Sequence, residues 1–327
     1  MSARLGVAAA AFAWATLAGL VPAAADPESG TQAPARGVVE RDVVYVDPPP
    51  GTTITHVIID NRLGNVRIEG ADQPGITVMA KKRAADHQTL DRLKVTLVPD
   101  PSGPIRIATA LLAGEKAGPI AAGSAGIDLV IRAPRAALAE ATAWKGRLTV
   151  TGMDGGARLT TNEGKIVVDN VAGQVVTYAA RGDQDIKNVF GSLDAEGLIG
   201  DLALASVTGK SLVAAVHRGT ITARDIRVHE AELRVFSGHI DLLAEVVLGG
   251  HYRVQTVTGN IRVRMRGHAP VQVTAFSKNG RVAVARGLSP QRTLSEAVIG
   301  HRGPARGASS WEVTSRMGNI RFVVLAE

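Results

Sequence analysis

The feature that most constrains this chain is a glycine that returns at nearly constant spacing, followed two positions later by an aliphatic residue. The intervals between successive members are 18, 18, 18, 19, 19, 21, 21 and 38 residues, and the last holds two repeats. Gly182 keeps the spacing, but its aliphatic partner comes late, at Ile186. A period near 19 is typical of a solenoid, because a single unit cannot bury its apolar face and must stack on its neighbours. The members are Gly146, Gly164, Gly182, Gly200, Gly219, Gly238, Gly259, Gly280 and Gly318.

Within each repeat, apolar residues alternate with outward positions, which predicts strands. Glycine at this frequency excludes helices. Glycines at the half-step predict a second turn, so that these coils hold two short strands each. The half-step glycines are Gly155, Gly173, Gly191 and Gly209. The second inward position of each coil is predicted at Val150, Val168, Leu204, Ala223, Leu242, Val263, Val284 and Phe322.

The chain is predicted to be exported. Residues 1–25 have the pattern of a signal peptide, with Arg4 before an uncharged apolar run and small residues before Asp26. The alternative, an uncleaved membrane anchor, is less favoured because the run is at the lower limit for spanning a bilayer. The expected location is the periplasm or the cell surface.

Four segments are predicted along the chain. After the signal peptide, residues 26–37 have the composition of a flexible linker. Residues 38–135 show longer strands and are predicted to form wider coils or an N-terminal cap, in which Gly64 already begins the repeat motif. Residues 136–327 are the repetitive solenoid, continuous with the cap. Two glycine-rich segments, 112–126 and 287–310, are predicted to be surface excursions, and 84–94 a short helix or a polar excursion.

Composition narrows the classes of function. The 327 residues include no Cys, which excludes a disulfide scaffold, a thiolate zinc site, a cysteine nucleophile and a lipid-modified N-terminal Cys. The apolar fraction of 45% excludes a disordered chain. With only five Phe, three Trp and three Tyr, the core must be built from Val, Ile, Leu and Ala.

The residues that form this pattern resemble a known family. Residues 50–66 (PGTTITHVIIDNRLGNV), 254–263 (VQTVTGNIRV) and 236–242 (FSGHIDL) are similar to the putative bacterial adhesin family. The resemblance covers about 40–325. It implies a β-solenoid of envelope proteins with no settled biochemical activity, and it offers no catalytic residues to transfer.

Motifs for catalysis or metal binding are incomplete. Gly209-Lys210-Ser211 has the end of a phosphate-binding loop, but position 204 is Leu and a strand follows. His229-Glu230 would need a second His at position 233, which is Leu. We expect no cofactor and no metal. The remaining candidate is a polysaccharide-active β-helix using Asp183, Asp185 and Asp201, which neighbouring coils would bring close together.

Charge is distributed unevenly. Residues 26–209 have a net charge of −3, whereas residues 210–327 hold 17 basic and 8 acidic residues, a net +9. In 261–266 (IRVRMR), three arginines alternate with apolar residues and are predicted to point outward. Such a row suits phosphate or carboxylate polymers, although exposed charges also keep a sheet edge soluble. The candidate anion-binding residues are Arg262, Arg264, Arg266, Arg281 and Arg286.

The sequence therefore predicts an all-β, single-solenoid protein of the cell envelope with a binding or scaffolding role and no enzymatic activity. The partner is expected to be an anionic envelope polymer, a lipid surface or another envelope protein. Nucleic acid is disfavoured by the compartment and by the scarcity of stacking aromatics. The oligomeric state is left open.

Overall fold

The computed structural model describes residues 37–48, 52–100, 103–112, 125–284 and 287–325. The predicted signal peptide, and all of the predicted linker except Gly37, lie outside this part of the chain. So does most of the predicted excursion at 112–126. Within the described residues, no helix is both long and apolar enough to cross a membrane.

The described chain is almost entirely β, in one continuous 23-stranded sheet that winds as a solenoid. The first strands are β1 (Val38–Val46), β2 (His56–Leu63), β3 (Val66–Ala71), β4 (Ile76–Ala84), β5 (Leu93–Pro99), β6 (Pro104–Leu111), β7 (Gly126–Pro134) and β8 (Leu138–Lys145). The central strands are β9 (Leu148–Thr151), β10 (Ala157–Glu163), β11 (Ile166–Arg181), β12 (Gln184–Ile199), β13 (Leu202–Arg218), β14 (Ile221–Ser237), β15 (Ile240–Glu245), β16 (His251–Thr258) and β17 (Ile261–Arg266). The last are β18 (Val271–Asn279), β19 (Val282–Val284), β20 (Ser289–Thr293), β21 (Ala297–Arg302), β22 (Ser309–Met317) and β23 (Ile320–Val324). The single helix of the described chain, α1 (His87–Asp91), lies inside the predicted segment 84–94 and is capped by Asp86.

Each central coil contains three strand segments, rather than the two predicted. In the coil that begins at Gly182, the chain bends at Asn188, whose φ is 52°, and again at Gly191. The same left-handed corner recurs at Asn170, Ser206 and Asp225, with φ between 52° and 56°. Asn, Asp and Ser tolerate or stabilise this conformation through short polar side chains. These corners therefore need no glycine, and the glycine pattern of the sequence does not predict them.

The repeat glycines stack directly on one another. Gly200 has a φ of 141°, and a Cβ built on it would lie 2.2 Å from the carbonyl oxygen of Gly182 in the coil before. Its amide N–H donates to the carbonyl of Arg218 in the coil after, at 3.1 Å. The column therefore needs glycine twice over, for the backbone conformation and for the close approach of successive coils.

The order of coils departs from the order of the chain at both ends. β22 and β23 pair on one side with β16 and β17, and on the other with β18 and β19. The last coil in the sequence is thus inserted between the two coils that precede it. At the N-terminal end, β2 likewise pairs with β6 on one side and with β8 on the other. The next strand, β3, pairs with β7 on one side and with β9 on the other.

Antiparallel strands cover both ends of the stack. At the N-terminal end, β4 pairs with β7, β1 with β4, and β5 with β6. At the C-terminal end, β21 pairs with β18 and β20 with β21, so the segment predicted as a surface excursion at 287–310 contains strands. These additions pair backbone groups that an open parallel edge would leave exposed to other chains.

Aliphatic side chains fill the interior of the coils, as predicted. The predicted inward positions are buried, except Val284, which is half-buried. Gln184 replaces the aliphatic residue missing after Gly182: it is 2% exposed, and its Nε2 donates to the carbonyl of Glu196. The late aliphatic residue after Gly182 therefore corresponds to a polar side chain, Gln184, inside the core.

The largest buried side chains lie in the C-terminal half. Tyr252 stacks on Trp311, with ring centroids 3.9 Å apart and planes 5° from parallel. The Tyr252 hydroxyl donates to the carbonyl of Val228 at 2.7 Å. Burial raises the pKa of Tyr252 to about 12. Tyr252 is therefore a neutral phenol in the folded protein.

This phenol predicts a loss of stability in alkaline solution. Below about pH 10 the phenol is protonated in both states, and above it the unfolded chain ionises first. The free energy of unfolding should then fall by about 1.4 kcal/mol per pH unit until about pH 12. Chemical denaturation at pH 8 and pH 12 should show the difference between wild type and Tyr252→Phe shifting by roughly 2–3 kcal/mol in favour of Phe. A constant difference across this range would mean that the hydroxyl is accessible to solvent.

Candidate binding surfaces

The residue after each repeat glycine forms a hydrogen-bonded ladder along one corner. Asp183 Oδ1 accepts from the backbone N–H of Asp201 at 3.0 Å, and Asp201 Oδ1 accepts from that of Thr220 at 2.8 Å. Asn260 makes the same bond to the backbone of Asn319, and Asn319 to that of Arg281. These carboxylates and amides thus join one coil to the next. Asp183 and Asp201 therefore have a structural role in this ladder, as Asn260 and Asn319 do.

Asp185 belongs to a different surface. It lies on the outward face of β12 and forms ion pairs with Lys187 at 3.1 Å and with Lys165 at 3.9 Å. The three carboxylates singled out by the sequence are therefore divided between a corner and a strand face. In the part of the chain described here, no cluster of three or more His, Asp or Glu side chains is arranged to hold a metal ion.

Strand β17 presents Arg262, Arg264 and Arg266, which lie between its buried apolar residues as predicted. Two of the three are neutralised by carboxylates of earlier coils. Arg264 Nη2 lies 2.8 Å from Asp241 Oδ1, and Arg266 Nη1 lies 3.1 Å from Asp225 Oδ1. These two arginines are therefore committed to intramolecular pairs.

Arg262 has a different environment. Its register partner on β23 is Arg321, and both side chains are exposed. Neither has a carboxylate partner among the residues that the structure describes. Arg281, also exposed, lies at the turn into the next coil, while Arg286 is outside the described residues. Like charges directly opposite one another on adjacent strands are unfavourable. On its other side Arg262 lies opposite Asp241 of β15, whose carboxylate is paired with Arg264, so within the described chain Arg262 and Arg321 have no carboxylate of their own.

A second surface was not found by the sequence analysis. On the outer face of the third strand segment, one column of side chains runs along the solenoid. It is mostly apolar in its central part and is followed by basic residues at both ends, Arg62 beyond Trp144 and Arg316 with Lys278 beyond Val257. We call it the apolar stripe. Its most exposed members are Trp144 at 64%, Phe236 at 53% and Leu198 at 47%. In order along the axis it contains Trp144, Asn162, Ala180, Leu198, His217, Phe236, Val257, Arg316 and Lys278.

The centre of the stripe is ordered by side-chain contacts. His217 lies between Leu198 and Phe236 in the register of three adjacent strands. Its ring stacks on Phe236, with centroids 4.7 Å apart and planes 10° from parallel. Both side chains are exposed to solvent. In the sequence these residues are about 19 positions apart, and each taken alone is an ordinary exposed side chain.

The column beside the stripe mixes polar residues with Tyr178, Ala215 and Phe276, and it carries two charges of opposite sign near its centre. Glu196 lies one strand before His217, and Arg234 one strand after it. Farther toward the C-terminal end, Lys278 and Arg316 lie within the stripe itself. At the other end, Trp144 and Tyr178 line a cleft of about 860 Å³ together with Leu93 and Leu111.

The fold defines a class: a predominantly parallel β-solenoid whose ends are covered by antiparallel strands. A family model described as Toastrack DUF4097 matches residues 131–321. The chain belongs to this family, which confirms the resemblance to putative adhesins seen in the sequence.

Solved structures support the fold. A putative lipid binding protein from Parabacteroides distasonis ATCC 8503 is similar over 88% of this chain and 98% of its own, with 13% identity and a TM-score of 0.51. A putative adhesin from the same organism has 15% identity over the same shares, with a TM-score of 0.42. The first likeness shows the fold alone, and the second is too distant to support an argument. No curated protein matches the chain.

Proposed function

We propose that this protein is a non-enzymatic binding and scaffolding component of the cell envelope, which contacts anionic polymers or anionic lipid surfaces through its C-terminal coils. The observation on which this depends is the pair of adjacent, exposed arginines, Arg262 and Arg321, that have no carboxylate partner within the described chain. Arg281 at the next turn extends the same surface. Arg286 is kept as a candidate from the sequence.

Arginine suits this role because its planar guanidinium pairs with two oxygens of a phosphate or carboxylate at once and stays charged at any relevant pH. Neighbouring strands place the two side chains about 4.8 Å apart along the axis, so one polyanion can contact both. An anionic ligand would also relieve the repulsion between them. Arg264 and Arg266 contribute less, because Asp241 and Asp225 already neutralise them.

Several findings support a binding role over catalysis. Asp183 and Asp201 are bonded to backbone amides, and Asp185 is paired with lysines, so the carboxylates proposed for polysaccharide cleavage are used within the fold. A similar solved structure is named a putative lipid binding protein, and that name agrees with a binding role. The signal-like sequence at 1–25 supports export to the periplasm or the cell surface.

Two double variants test the proposal. Arg262→Ser with Arg321→Ser removes the unpaired arginines, and Arg266→Ser with Asp225→Ser removes a paired arginine together with its carboxylate. Retention on vesicles of acidic phospholipid and on an immobilised acidic polysaccharide is measured at low and at physiological salt. Each unpaired arginine near an anionic surface is worth about 1 kcal/mol, so the first variant should bind about 30-fold more weakly.

The second variant should bind within about threefold of wild type, because it removes an arginine and the carboxylate that balances it and so leaves the local charge unchanged. Binding of the wild type should weaken as salt rises, since exposed charges are screened within about 8 Å at physiological ionic strength. Equal binding by both variants, with both folded, would show that these arginines only keep the solenoid soluble.

A further inference from the structure

The apolar stripe and the charges beside it point to a partner. We propose that the stripe is the interface of a homodimer in which a second copy of this chain packs face to face, with the two solenoids antiparallel. The dyad passes at His217, near the middle of the stripe. Apolar sheet faces that remain exposed on this scale mark sites of association.

The antiparallel arrangement makes the surface self-complementary. A twofold axis along the strand direction keeps each column opposite itself and reverses the order of strands. One strand from the dyad, Leu198 of each copy then faces Phe236 of the other, and Glu196 faces Arg234. Glu196 has no side-chain partner in the described part of the chain, and Arg234 has only Glu232, at 3.6 Å on its own strand.

Complementarity extends to the ends of the stripe. Four strands from the dyad on one side lies Trp144, and four strands on the other side lies Lys278. In the dimer the Lys278 ammonium of each copy meets the exposed indole of the other, a favourable cation–π contact. Ala180 and Val257, two strands from the dyad, also face each other.

The area is at the lower limit for a specific complex. From Trp144 to Lys278 the stripe crosses eight strand spacings, about 38 Å, and with its flanking columns it is about 14 Å wide. Treated as flat, two such faces bury roughly 1,000 Å² in total. This area is at the lower end of the range for specific interfaces. Flat sheet faces pack at about 10 Å with side chains interlocked, as in a β-sandwich.

A second copy fits better than an anionic membrane or polymer. Those partners would favour Arg234, Arg316 and Lys278 but would be repelled by Glu196. A second copy in the antiparallel orientation places Arg234 of one chain opposite Glu196 of the other and so satisfies both charges. The arginine surface at Arg262 and Arg321 lies beyond the glycine corner, on another face, so it stays accessible in the dimer.

Sedimentation velocity of the purified protein across a range of concentrations tests the dimer. Phe236→Ser removes the aromatic beside the dyad from both copies and should weaken dimerisation at least about 30-fold. Phe190→Ser is the matched control, because Phe190 is 55% exposed but lies outside the stripe. It should leave the dimer unchanged.

Charge reversal tests the orientation. Glu196→Arg alone and Arg234→Glu alone should each weaken the dimer at least about tenfold, and the double variant should recover most of the loss. A protein that stays monomeric at about 100 µM overturns the proposal. So does a dimer that is insensitive to Phe236→Ser, or one whose single charge variants are not rescued by the double. A monomer that needs Phe236 to bind lipid vesicles would assign the stripe to a membrane instead.

Discussion

Gly200→Ala is expected to prevent the central coils from stacking and to lower the free energy of unfolding by more than about 4 kcal/mol. The new methyl carbon would lie 2.2 Å from the carbonyl oxygen of Gly182 and 2.6 Å from its carbonyl carbon. Both atoms belong to the backbone of the preceding coil, which cannot rotate away as a side chain would. The φ of 141° is also essentially closed to residues with a Cβ. Relief requires the two coils to separate, which breaks the parallel hydrogen bonds around this corner.

Gly249→Ala is the matched control for this change. Gly249 also has a positive φ, 69°, but a Cβ there would meet no atom within 4 Å. The substitution should cost about 1–2 kcal/mol, the strain of the left-handed conformation alone. Urea denaturation followed by circular dichroism compares the two. Similar midpoints for both variants would show that the glycine column is not a close-packed ladder.

Leu242→Asp is the second change with a large expected effect. Leu242 is fully buried on β15 between Ala223 and Val263 of the neighbouring coils. An aspartate there would place a carboxylate among aliphatic side chains with no cation to pair with it. The expected loss is several kcal/mol, through the cost of the buried charge and the lost packing.

The control is Leu248→Asp, because Leu248 is 63% exposed. It should change the free energy of unfolding by no more than about 0.5 kcal/mol. Thermal and chemical denaturation of the two variants measure the difference. If both variants were equally stable, the alternation of inward and outward residues along β15 would be displaced by one residue.

The coil and its interior were predictable because both follow from local spacing. A glycine that recurs near every 19 residues, with apolar residues two and four positions later, admits only a stacked strand. Ile240 and Leu242 are accordingly buried as expected. The left-handed corners at Asn188 and Asp225 escaped prediction because those residues are common on any polar surface. Their conformation is visible only in the backbone.

The order of the terminal coils depends on which repeats pair, and that choice leaves no local signal. β23 has the same pattern as β17 and would pair equally well at several places in a parallel stack. Insertion between β17 and β19 is decided by the whole C-terminal end, where β20 and β21 fold back on β18. A period in sequence therefore identifies coils without giving their order.

The candidate site was predictable only in part, for a similar reason. The outward direction of Arg262, Arg264 and Arg266 follows from alternation on one strand. Which of them is neutralised depends on Asp225 and Asp241, 41 and 23 residues away from their partners. The apolar stripe was missed because its members become neighbours only through the register of many coils. Neighbouring surface residues of a solenoid come from equivalent positions in successive repeats. The composition of a surface is therefore found by comparing those positions, not by reading along the chain.

The proposed function depends on the binding of anionic ligands by the unpaired arginines on the C-terminal coils. The most direct measurement is modification of arginine side chains by phenylglyoxal, with mass spectrometry, with and without an acidic polysaccharide at low salt. Arg262 and Arg321 should react in the free protein and be protected by the polymer. Arg158, an exposed arginine at the opposite end of the stack, should react equally in both samples. If the polymer is bound while Arg262 and Arg321 keep their full reactivity, the claim is contradicted.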